Sequence, residues 1–227
     1  GEMIEQSTTS INWSSARNSV HLPEQLSPDS FQISGVEGVI RVIGLVEGQL
    51  YTEELHCEAC VKDGKIIADP TNDVLKIAVI ERHHNTGNIG LGFVKGFQFR
   101  NGAIASTVGH DAHNIAVVGD NDGDMCVAAT ALANVGGGQC VVSNGNVLAL
   151  LPLPLAGLMS DAEPDCVIAQ QRDMLTAISN LGCMLDDPFM PLSFLPLSVI
   201  PKLKLTDLGL VDVDQFKVVP LQMGTTA

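Results

Sequence analysis

The chain has 227 residues, with 12 Lys plus Arg against 26 Asp plus Glu and a formal net charge of −14. That balance argues against a nucleic-acid partner, whose binder gains affinity by setting cations on phosphates, and against a polybasic membrane anchor. Hydrophobic residues make up 45%, ordinary for a globular fold, and no apolar run reaches the roughly 18 residues of a membrane-spanning helix.

The N-terminal stretch lacks the apolar core of a secretory signal, so a cytoplasmic location is expected. Residues 1–30 are polar, carry Pro23 and Pro28, and read as an arm or linker. Residues 31–222 read as one folded unit. Gly38 to Val46 is a β-branched run bounded by glycines, hence a strand. Asp63-Gly64 and Asn144-Gly145 are hairpin dipeptides between apolar flanks. Val74 to Ile80 is short and apolar, as a buried strand is. The glycine-rich passage Thr86 to Phe97 lacks the Gly-Lys-Ser/Thr ending of a phosphate loop and reads as a connection leading into a strand. Gly102 to Ser106 is a strand of small residues that lets another backbone or a ligand come close. Asn114 to Val118 is a further strand.

Asp120, Asn121 and Asp122 are N-cap candidates for a helix running to about Asn134, stopped by Gly136-Gly137-Gly138. A second helix is predicted from about Ala162 to Leu181, with Val167, Ile168, Gln171, Met174, Leu175, Ile178 and Leu181 on one face. Pro188, Pro191, Pro196 and Pro201 predict short extended edge segments in the tail. The sum is an α+β (mixed α/β) fold: a largely antiparallel sheet with hairpins and two main helices. A (β/α)₈ barrel is excluded, because eight alternating helices are not there.

Cys57, Cys60, Cys126, Cys140, Cys166 and Cys183 are too sparse for a disulfide scaffold and read as buried, reduced thiols. Cys57-Glu58-Ala59-Cys60 lacks the partner ligands of a zinc deaminase or zinc finger, and a hairpin rather than a helix follows it. It reads as incidental.

The most concentrated polar cluster is His110-Asp111-Ala112-His113-Asn114, between two apolar strands. Its imidazoles and carboxylate suit either a divalent metal or a proton-transfer pair in which Asp111 orients a histidine. They equally suit caps on a strand end. Glu81-Arg82-His83-His84 ends another strand. Adjacent histidines on an extended chain point to opposite sides, so at most one of His83 and His84 faces any one site.

Glu81-Arg82-His83, Gly90-Leu91-Gly92-Phe93-Val94-Lys95-Gly96-Phe97, the strand Gly102 to Ser106 and the His110 to Asn114 loop together resemble the C-terminal domain of bacterial adenine deaminase. Leu153 to Asp161 and Pro201 to Asp207 continue the likeness, which spans roughly Pro23 to Leu221. His84 departs from it, standing where many relatives carry a smaller residue.

The resemblance implies an amidohydrolase that converts adenine and water to hypoxanthine and ammonia. Manganese or iron would be held in a separate N-terminal barrel by a His-x-His pair that this chain lacks. It therefore implies that the chain is inactive without that barrel. On this reading His110, Asp111, His113 and Asn114 close the pocket or move a proton, and Arg82 and His83 meet the purine. The partners implied are adenine, the barrel domain and a homo-oligomeric copy. The run Phe189 to Ile200 is the expected exposed apolar patch. Two other readings stay open at this point: a stand-alone domain that binds a purine or metal without catalysis, and a structural or oligomerisation module.

Overall fold

The computed structural model describes residues 12–224, so the expected arm is described only from residue 12 onward. In chain order the first strands are β1 (Ile33–Ser34), β2 (Val39–Leu45), β3 (Thr52–Glu58), β4 (Val61–Lys62) and β5 (Lys65–Ile66). Next come β6 (Leu75–Ile80), β7 (Ile89–Lys95), β8 (Ala103–Ser106) and β9 (Ile115–Gly119), then helix α1 (Asp122–Asn134). The hairpin β10 (Gly138–Ser143) and β11 (Asn146–Pro152) precedes α2 (Pro164–Asn180) and the short α3 (Phe189–Phe194). The chain closes with β12 (Leu203–Thr206), β13 (Gly209–Asp212) and β14 (Lys217–Val218).

Eight strands form the main sheet in the order β11-β10-β8-β9-β6-β7-β2-β3. Every pairing in it is antiparallel except β2 with β7. The central strands β6, β8 and β9 are buried along their whole length, as strands without polar alternation must be when both faces are covered. On one face Ile77, Val79, Val118 and Val141 pack against Met174 and Ile178 of α2, Leu192 of α3 and Leu205 of β12. On the other, Ala78, Ala105, Val117 and Val142 meet Met125, Ala128, Ala129 and Leu132 of α1. The small side chains of β8 and α1 bring that helix close to the sheet. The α+β class with a largely antiparallel sheet is as expected, and both hairpin dipeptides form turns with positive φ at each residue: 51° and 72° at Asp63-Gly64, 50° and 75° at Asn144-Gly145.

Three details differ from the sequence expectation. The glycine-rich passage is itself the strand β7, not a lead-in. Gly90 and Gly92 are there because the β12–β13 hairpin lies on them: a Cβ at Gly90 would sit 1.8 Å from the Thr206 carbonyl oxygen, and one at Gly92 2.9 Å from Leu210 Cδ1. The tail contains a helix, α3. Its Pro191 is the third helical residue, where the N–H is not needed by the helix, and Asp187 Oδ1 accepts from the Phe189 and Met190 N–H groups at 3.0 and 3.3 Å. The apolar patch expected over Phe189 to Ile200 is mostly internal. Phe189, Leu192 and Leu195 are buried, and Met190 and Val199 remain exposed.

The cysteines are all free, but only Cys140 and Cys183 are buried, and Cys166 is exposed on α2. Among the described residues no helix is long and apolar enough to cross a membrane.

Candidate functional site

Antiparallel pairing sets the site. The register Ile80↔Ile115, Ile80↔Ile89 and Ser106↔Ala116 brings the end of β6, the start of β7 and the β8–β9 loop to one end of the main sheet. Glu81 to His84 leaves β6 there, and His110 to Asn114 leads into β9. Segments some thirty residues apart in sequence thereby become neighbours.

Arg82 is the centre of this end. Its side chain is 1% exposed. Nε donates to the His113 carbonyl, Nη1 to the Ser19 carbonyl at 3.0 Å, and Nη2 to the Ala156 carbonyl at 2.9 Å. One planar guanidinium thus ties the arm, the histidine loop and the turn before α2. Its own carbonyl accepts the His21 N–H at 2.9 Å. Burial pulls the Arg82 pKa down to about 10, against the charge of Glu81, and leaves the group cationic at neutral pH.

Glu81 organises the neighbouring turn. Its carboxylate accepts from the backbone N–H groups of His83, His84 and Thr86 and from the Thr86 hydroxyl. Burial opposes the charge, but these donors outweigh it and hold the pKa at about 2.

The loop itself is fixed at several points. The His110 ring stacks on Phe194 of α3 with centroids 3.8 Å apart, and the His110 backbone N–H donates to the Ser193 carbonyl at 3.3 Å. His113 has φ of 51°, a left-handed conformation, and its Nδ1 accepts the Gly109 N–H at 3.3 Å. That bond places the ring proton on Nε2. Desolvation, then the charges of Arg82 and His83, hold the His113 pKa below the ordinary histidine value, against the pull of Asp111. His83 Nε2 donates to the Ala112 carbonyl at 2.7 Å. His83, His110 and Asp111 are exposed, His113 is half-buried, and Asn114 is buried.

Asn114 points inward. Its Nδ2 donates to Asp207 Oδ1 at 3.3 Å, and Asn88 Nδ2 donates to the other oxygen of the same carboxylate at 3.3 Å. The Asn114 side-chain oxygen is buried with no partner among the described residues.

The structure therefore gathers Arg82, His83, His110, Asp111, His113 and Asn114 at one end of the sheet. Arg82 and Asn114 face into the protein, and the imidazoles of His83 and His110 face out. Asp207, Asn88, Ser19 and Ala156 are not marked out by the sequence. Asp207 and Ala156 lie in stretches that carry the resemblance, yet nothing in their residue type marks them as anchors. Among the described residues no three His, Cys, Asp or Glu side chains come together as metal ligands. The donor set here does not fit the manganese or iron that the resemblance implies. Cys57 and Cys60 lie elsewhere, on and just after β3.

Arg82, His83, His110, Asp111, His113, Asn114 and Asp207 all fall within the stretch that a family model matches. The family model for the adenine deaminase C-terminal domain matches residues 49–217. The chain belongs to the adenine deaminase C-terminal domain family. It is 49% identical over 204 residues to the adenine deaminase of Oleidesulfovibrio alaskensis, covering 90% of this chain and 36% of that protein. It is 48% identical over 212 residues to that of Moorella thermoacetica, covering 92% of this chain and 36% of that one. A Clostridium botulinum adenine deaminase is 45% identical over 209 residues. The chain spans about a third of the length of the curated relatives it matches, 36% for the first two. Membership in the adenine deaminase C-terminal domain family accounts for residues 49–217 and leaves the larger part of each relative without a counterpart here.

Proposed function

We propose that this chain is the C-terminal part of a cytoplasmic adenine deaminase, converting adenine and water to hypoxanthine and ammonia, and that it is inactive without a metal-bearing barrel domain. The observation that carries the reading is the rigid presentation of exposed imidazoles. His83 and His110 sit on loops that a buried Arg82, the Glu81 turn and Phe194 hold in place. A loop pinned at its base and polar at its tip is suited to cover the mouth of a neighbouring domain's pocket.

On this reading manganese or iron belongs to the barrel, where it activates water. The residues of this chain exclude bulk water and orient the purine. Asp111 and the histidines lie at the covering surface. Arg82 has a positioning role, since its bonds go to the protein's own carbonyls. Asn114 likewise holds the loop base through Asp207.

The test is steady-state kinetics on the full-length protein that contains this chain. Replacing His83 and His110 with Ala is expected to raise KM for adenine about tenfold, the loss of one or two hydrogen-bonded contacts. The 227-residue chain by itself is expected to give no hypoxanthine. Unchanged kinetics in the double variant, or turnover by the isolated chain, overturns the proposal.

A further inference from the structure

His110 also lines a second feature, on the side of its loop toward α2 and α3. A cleft of about 190 Å³ opens between β10, α2 and α3. Val108, Leu175, Phe189 and Met190 supply its apolar walls, and Gln139 and Gln171 line it as well. Gln139 is on β10, two residues before Val141. By strand alternation it shares the face on which Val141 packs with Met174 and Ile178 of α2. It is half-buried, and Gln171 is exposed at the rim.

Of the other polar side chains of the cleft, two make hydrogen bonds within the chain. Asp187 Oδ1 caps α3, and Ser193 Oγ donates to the Met190 carbonyl. His110 is held against Phe194 by stacking. The two glutamine carboxamides have no side-chain partner among the described residues. Each offers a donor and an acceptor side by side, the pattern that reads the amino and ring-nitrogen edge of an adenine.

Size and charge narrow the ligand. Drug-sized pockets run to roughly 300–1,000 Å³, so 190 Å³ takes one flat ring system and leaves no room for a sugar phosphate. No Lys or Arg lines the cleft, and Asp187 does, which disfavours an anion. We infer that the cleft formed by Gln139, Gln171 and the apolar side chains of α2 and α3 binds a free, uncharged nucleobase. It does so apart from any pocket in a barrel domain.

The cleft is complete within this chain, so its test needs no turnover and stands or falls apart from the deaminase reading. Calorimetric titration of the 227-residue chain is made with adenine, adenosine 5′-monophosphate and indole, a flat ring lacking the paired donor and acceptor. Adenine is expected to bind with Kd on the order of 1 mM or tighter. The monophosphate and indole are expected to bind at least tenfold more weakly, by about that factor. Gln171→Ala, at an exposed position, and Gln139→Leu are each expected to weaken adenine binding about tenfold. A circular-dichroism spectrum of each variant checks that it is folded. No adenine binding up to its solubility limit overturns the inference. So does equal binding of indole or the monophosphate, or an unchanged affinity in the folded Gln171→Ala variant.

Discussion

The guanidinium of Arg82 lies flat against the bare Cα of Gly157: a Cβ added there would stand 2.9 Å from Nη1 and 3.1 Å from Cζ. Gly157 also has φ of 71°, a left-handed conformation that costs a residue with a Cβ about 1–2 kcal/mol. Overpacking against a fixed group adds about 1–3 kcal/mol. Gly157→Ala is therefore expected to destabilise the chain by about 2–5 kcal/mol, read from the urea midpoint. Arg82→Met strips the hydrogen bonds from the His113, Ser19 and Ala156 carbonyls, for about 3 kcal/mol. The double variant is expected to lose less than the sum, because the clash vanishes with the guanidinium. Strict additivity would show that the two residues do not act on each other.

Glu81 makes the fold acid-sensitive in a defined window. Its carboxylate has a folded pKa of about 2 against an ordinary 4.5. The folded state thus favours the charged form, and the stability this supplies is complete above the ordinary value. It is lost as pH falls from about 4.5 through about 2. Glu81→Gln keeps the shape but not the charge, and hydrogen bonds to a charged acceptor are worth about 1.5–3 kcal/mol. The variant is expected to be less stable at pH 7 by about that amount, and to show a flatter stability profile across that acid window. Parallel profiles for the two proteins would remove Glu81 as the cause.

The β12–β13 hairpin holds the site from behind. It rests on Gly90, and its turn supplies the Asp207 carboxylate that both Asn88 and Asn114 engage. Gly90→Ala places a Cβ 1.8 Å from the Thr206 carbonyl oxygen, so the hairpin must lift. A loss above about 3 kcal/mol is expected. Asp207→Ala is milder, about 1–3 kcal/mol for the buried Asn114 amide and the half-buried Asn88 amide left without an acceptor. Hydrogen exchange is expected to quicken in residues 110–114 of the Asp207→Ala variant before it does in α1. Uniform exchange in both regions would separate Asp207 from the loop.

Much of this was legible in the chain itself. Asp63-Gly64 and Asn144-Gly145 fix their hairpins because only residues that tolerate positive φ fit such turns. The unbroken apolar run of β6 announces a strand covered on both faces. The helix α1 follows from Asn121, whose side chain accepts the Asp124 N–H at 2.8 Å. The short helix α3 was not legible: four prolines mask it, and what permits it is a first turn that needs no N–H from Pro191. At the site, the histidine loop stands out by composition. Asp207 does not, for its role depends on a hairpin 93 residues away from Asn114 closing over the sheet. Such contacts come from tertiary packing, which local spacing does not encode. The same holds for Arg82, which the sequence places at a strand end and the fold makes a buried tie.

The backbone of His113 bears on how the histidine loop is tested. Its φ of 51° is a left-handed conformation in which Asn and His are enriched and Ala is not. An alanine variant would therefore confound strain with loss of the imidazole, whereas His113→Asn removes the ring and keeps the backbone. His113→Asn is expected to unfold within about 0.5 kcal/mol of the parent at pH 7, and His113→Ala to be the less stable of the two variants. The imidazole titrates below its ordinary 6.5 because of burial and the charges of Arg82 and His83. The folded state thus favours the neutral ring, so stability is lost as pH falls below about 6.5 and the unfolded chain takes up the proton first. His113→Asn is expected to abolish that part of the pH dependence while leaving the Glu81 window intact. Nuclear magnetic resonance titration of the ring supplies the independent check. A His113 that protonates above 6.5 would mean that Asp111, and not Arg82, governs its charge.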